Sequence, residues 1–120
     1  HFDKFGEIYF SCSYPGVVKA WHKHSDMTLN YAAVTGAVKV VLFDDRSSSS
    51  TKGEVQEIYL TQENYFLLVV PPLVWNGFKA IGTKEAIVAN CATIPHSPGE
   101  IKRLAYDDPY IPYDWGVVHR

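Results

Sequence analysis

Short apolar and aromatic runs, broken by Gly, Pro, Ser or Asp at intervals of roughly 8–12 residues, run the length of the chain and predict strands. Glu7 to Ser13 is aromatic-rich, and Val17 to His24 follows the breaker Pro15-Gly16. Met27 to Thr35 and Ala37 to Asp44 meet at Gly36, which reads as a tight hairpin. Val55 to Leu60 alternates with period two, as a half-buried strand does. Phe66 to Val70 is a continuous apolar run ended by Pro71-Pro72 and predicts a strand buried on both faces. Ala86 to Thr93 is a further strand, stopped by Pro95 and Pro98, and Gly99 to Leu104 is the one helix candidate. Arg46 to Gly53, with four consecutive serines, reads as a mobile, solvated loop. The tail from Tyr106 to Trp115, rich in proline and tyrosine, reads as ordered but irregular. Seven or eight short strands make this an all-β protein, a sandwich or a barrel.

A length of 120 residues suits a single domain over 1–120. An apolar share of 47% is enough for a real core and argues against disorder. Eleven basic against thirteen acidic residues leave a net charge of −2, so there is no basic field for nucleic acid. The longest apolar stretch, Tyr65 to Trp75, holds two prolines and is too short to span a bilayer. The first residues show no signal-peptide pattern, and Cys12 and Cys91 read as two buried free thiols. The expected compartment is therefore the reducing cytoplasm.

Phosphate-loop, dinucleotide, nucleophile-elbow and paired-cysteine patterns are all missing. What remains is His22-Lys23-His24, two imidazoles that a strand points to one face about 7 Å apart. Three readings are open. One histidine is structural and the other sits near a rim; or the pair is half of a metal site; or one histidine is a general base oriented by a carboxylate. Asp107-Asp108-Pro109 offers such a carboxylate, although an aspartate before proline is also an ordinary turn former.

Longer strings narrow the choice. Ser11-Cys-Ser-Tyr-Pro-Gly16-Val-Val-Lys19-Ala-Trp-His22 resembles the S-x-S-x-x-G-V-x-R-G-x-H segment of the dTDP-4-dehydrorhamnose 3,5-epimerase family. Gly36 to Arg46, Ser50 to Gly53, Leu60 to Asn64, Val70-Pro71-Pro72, Gly77-Phe78 and Tyr106 to Pro109 follow further landmarks of that family in order. The resemblance implies a cupin-type jelly-roll barrel of short antiparallel strands, a homodimer, a nucleotide-sugar substrate and no cofactor or metal. It also implies a base at His22 with Asp108 as its partner, and Lys19 standing where the family has a diphosphate-facing Arg. Other positions depart: the family Lys is Leu29, the family Tyr is Asn90, and the His of H-G-F is Asn76. Tyr31, two residues beyond Leu29, is the expected substitute catalytic group, and His24 is another candidate. Ser11, His24, Arg46, Asn76 and Asn90 join Lys19 as expected substrate contacts.

The resemblance thus implies an isomerase of deoxysugar and polysaccharide biosynthesis, which takes a proton beside the keto group of a dTDP-linked 4-keto-6-deoxyhexose. Losing the Lys and Tyr points to one carbon, or to a shifted substrate, instead of both carbons. The alternatives are a sugar-nucleotide-binding protein whose chemistry is impaired, and a metal-dependent cupin using His22 and His24.

Overall fold

The computed structural model describes residues 7–63, 67–93 and 98–116. Among them nine strands form: β1 (Glu7–Ser13), β2 (Val18–His24), β3 (Leu29–Thr35), β4 (Ala37–Phe43), β5 (Val55–Thr61), β6 (Leu68–Val70), β7 (Trp75–Ile81), β8 (Ala86–Ala92) and β9 (Ile101–Arg103). Every pairing is antiparallel. One sheet has the order β1-β8-β3-β6 and the other β5-β4-β7-β2-β9.

Neither sheet closes on itself, so the expected barrel is not formed; two open sheets face each other. The reason lies at the edges. Strand β6 has three residues before Pro71-Pro72, which have no N–H for a ladder, and it bonds only β3. Strand β9 is equally short and bonds only β2. The hydrogen-bonding ladder therefore stops between β5 and β6, and again between β1 and β9.

Other expectations change with it. Gly36 is not a hairpin turn, because β3 and β4 lie in different sheets. It is a corner with φ +74°, where an added Cβ would stand 2.7 Å from the Glu85 carbonyl oxygen. Strand β6 is half-exposed at an edge, not buried on both faces, and Phe66, where that strand was expected to begin, lies outside the described residues. The helix candidate is a single 3-10 turn, Pro98–Glu100, followed by β9. Cys12 is exposed and Cys91 half-buried; both are free. No helix of the described residues is long and apolar enough to cross a membrane.

The polar loop is tied down. The Asp44 carboxylate accepts Arg46 Nε and Nη2 at 2.9 Å, and also the Ser49 and Thr51 hydroxyls. Bonding to the Arg46 guanidinium first of all, against a smaller opposing effect of burial, holds its carboxyl far below the ordinary range.

Between the sheets, Val38 and Val40 of β4, Leu60, Val70, Phe78, Ala80 and Val88 form one core. Val41 and Phe43, on the other face of β4, pack with Trp21, Trp75, Ile111 and Trp115 of the tail. Both faces of β4 are thus covered, and each such side chain contributes about 1.5–3 kcal/mol on burial. The tail is also anchored by Trp21 Nε1, which donates to the Tyr106 carbonyl at 3.2 Å.

Strand β7 was not predicted, and its buried residues do not alternate with exposed ones. It is an interior strand between β4 and β2. Gly77 is needed there: a Cβ would lie 2.4 Å from the Ala20 Cβ of β2. Gly77→Ala should therefore destabilise the fold by at least about 2 kcal/mol in urea unfolding, as overpacking of a rigid contact does. Gly99→Ala, where nothing lies within 4 Å, should stay within about 0.5 kcal/mol. Equal effects at the two positions would contradict this packing.

Candidate functional site

Strand β2 carries the chemistry, and a bulge aims it. Lys19 pairs with Phe78 and His22 with Asn76, so three steps on β2 face two on β7. The extra residue turns Lys19 and His22 to the same side despite their odd separation. His24, two residues further on, shares that side.

All three line a cavity of about 380 Å³ at the gap between β1 and β9. Tyr9, Phe10 and Ser11 of β1, Tyr31 of β3, Asn90 of β8 and Arg103 of β9 complete its polar and aromatic wall. Met27, Phe78, Val88 and Ile101 supply its apolar wall. A larger cavity of about 660 Å³ opens at the other gap, between β5 and β6. Its charged residues are Asp44 and Arg46, which pair with each other, and Glu54, and its described lining holds no histidine. The smaller cavity is the one lined by histidines.

Burial first, then the positive charges of Arg103 and His24, push the His22 imidazole down to about 4. His22 is a neutral base at pH 7. Its backbone is fixed from below: the Tyr31 hydroxyl donates to Asn76 Oδ1 at 2.8 Å, and Asn76 Nδ2 donates to the His22 carbonyl at 3.1 Å. This chain joins β3, β7 and β2 across the two sheets.

His24 has a different environment. Its Nδ1 meets the Glu100 carboxylate, which also accepts the N–H groups of Asp26 at 3.2 Å and Met27 at 3.1 Å. Burial opposes ionisation of Glu100, but these hydrogen bonds prevail and hold its carboxyl below the usual range.

The structure brings together Ser11, Lys19, His22, His24, Tyr31 and Asn90 from the expected set. Three others lie elsewhere. The carboxylate of Asp108, expected beside His22, instead accepts the Tyr110 N–H at 2.9 Å, the turn-forming habit of an aspartate before proline. Among the described residues no hydrogen bond joins it to His22. Arg46 is held by Asp44 at the other gap. Asn76 is buried beneath the wall with its amide bonded on both sides. Tyr31 lines the cavity, but its proton is directed to Asn76, and burial raises its hydroxyl well above the ordinary range. Asn90 Oδ1 accepts the Asn30 N–H at 3.1 Å, while Leu29 is packed into the core. Among the described residues no three His, Cys, Asp or Glu side chains cluster as metal ligands.

Glu100 and Arg103 are the residues the sequence reading missed. Arg103 is paired in register with His22, and Glu100 stands 76 residues from His24 along the chain. The segment 99–104 reads as a helix candidate, and as a helix it would not have formed the β9 ladder with β2 that sets Arg103 opposite His22.

The depressed imidazole has a measurable consequence. An unfolded His22 titrates near 6.5, so the unfolded chain takes up this proton first as the pH falls. The stability that neutral His22 contributes is complete above about 6.5 and is lost as the pH drops toward 4. NMR titration should place its midpoint near 4, and Arg103→Gln should raise it. A wild-type midpoint near 6.5 would contradict the burial described.

The sequence pattern of dTDP-4-dehydrorhamnose 3,5-epimerases matches residues 2–120. A spore coat polysaccharide biosynthesis protein of Bacillus subtilis is 34% identical over 98% of this chain and 80% of its own. A probable low-salt glycan biosynthesis epimerase of Haloferax volcanii is 36% identical over 91% of this chain and 72% of its own. The crystal structure of a dTDP sugar isomerase from Desulfovibrio desulfuricans superimposes with a TM-score of 0.94 at 47% identity, covering 98% of this chain and 76% of that one. Fold, motif order and relatives agree, and the chain belongs to the dTDP-4-dehydrorhamnose 3,5-epimerase family.

Proposed function

We propose that this protein is an epimerase of a dTDP-linked 4-keto-6-deoxyhexose, and that His22 removes the proton from one carbon beside the keto group. The observation that carries the reading is a neutral imidazole facing a cavity whose described lining includes the cations Lys19 and Arg103 and no carboxylate. A nucleoside diphosphate matches those cations, and the apolar wall of Met27, Phe78 and Val88 matches a 6-deoxy sugar. Proton abstraction leaves an enolate whose charge is stabilised by the same positive field.

Selectivity for one carbon follows from what the site lacks. Leu29 lies in the core and Asn90 has no acidic proton, so a Lys to support the enolate and a Tyr to reprotonate it are both missing at those positions. A missing group of this kind commonly costs about 10²–10³ in rate. The same two residues favour a second reading, a sugar-nucleotide-binding protein without turnover.

Proton exchange separates the two. In deuterium oxide, with a dTDP-linked 4-keto-6-deoxyhexose, NMR should show solvent deuterium entering at a single carbon beside the carbonyl. His22→Gln should slow that exchange about 10²–10⁴-fold, as loss of a general base does. Tight binding with no exchange above the buffer rate would instead establish the binding protein.

A further inference from the structure

We propose that His24 and Glu100 form a second proton-carrying pair in this cavity: His24 is the acid that reprotonates the enolate on the side away from His22, and Glu100 positions it. The proposal rests on the epimerase reading above. Epimerisation needs two groups, one to take the proton and one to return it to the opposite face, and with the Tyr31 hydroxyl donated to Asn76 another acid is required.

His24 meets the requirement. The Glu100 carboxylate engages Nδ1, which leaves Nε2 as the ring nitrogen for the cavity that His24 lines. Glu100 is itself held by the Asp26 and Met27 N–H groups, so the imidazole is clamped from a fixed point. Strand geometry separates the two histidines by about 7 Å. That is a backbone spacing, and it sets the two rings side by side along one wall of the same cavity, where a single sugar ring can meet both. The two imidazoles also differ in charge environment. His22 faces Arg103 and His24, while His24 faces Glu100, with Lys19 further along β2 and the Tyr31 ring across on β3.

The step balances. Neutral His22 accepts the proton, and the C–H electron pair moves into the enolate. The protonated His24 then gives its Nε2–H to the carbon from the other side, and the pair of electrons re-forms a C–H bond. His22 is left protonated and His24 neutral, and both reset by exchange with water at the open gap between β1 and β9.

The test compares two rates on the same sample, deuterium exchange beside the carbonyl and inversion at that carbon, in the intact protein with a dTDP-linked 4-keto-6-deoxyhexose. His24→Gln and His24→Asn should lower the ratio of inversion to exchange about 100-fold. Glu100→Gln, which keeps a hydrogen-bond partner but removes the charge, should lower the same ratio, and Glu100→Asp, which restores the charge, should recover part of it. A parallel fall of exchange and inversion, or inversion that survives loss of His24, overturns the pair. A wild-type protein showing neither process overturns the epimerase reading itself, a different result from either.

Discussion

One extra residue in β2 governs this molecule. Strands alternate their side chains, so Lys19 and His22 belong on opposite faces unless the ladder slips between them. It does slip, against Asn76 and Phe78 of β7, and the close approach of Gly77 to Ala20 is what lets the two strands run together through that irregularity. A cation and two imidazoles then share one wall, while Trp21 turns outward beneath the tail. The open edges complete the device. Since β1 and β9 do not pair, the sheets leave a mouth above that wall instead of a sealed core.

Charge is distributed differently around the two imidazoles. His22 has lost most of its water and looks at a guanidinium and a second ring, so it stays neutral. His24 has a carboxylate at its back, and that carboxylate is ionised because two backbone N–H groups and the ring itself hydrogen-bond to it. A carboxylate-steered imidazole, expected from His22 and Asp108, is present with different partners. Tyr31 and Asn76 play a quieter part, linking the sheets through a hydroxyl and an amide that are both satisfied.

The strands with alternating or long apolar patterns were legible in the sequence, because period two is a local property. The H-x-H pair was legible for the same reason. Strand β7 was not, since an interior strand covered on both faces has no alternation. Gly36 imitated a hairpin because a corner between sheets and a tight turn both require positive φ. The barrel inferred from family resemblance failed at β6 and β9, whose shortness decides whether a ladder closes. Glu100 reaches His24 across 76 residues, and Arg103 reaches His22 through a three-residue strand, contacts that only the fold creates.

The central claim is that a keto sugar sits beneath β2 at the gap between β1 and β9. A crystal structure with an unreactive dTDP-hexose tests it most directly. The account predicts the sugar ring between His22 and His24, with the diphosphate toward Lys19 and Arg103. A nucleotide sugar lodged instead at the gap between β5 and β6, beside Asp44 and Arg46, would contradict it.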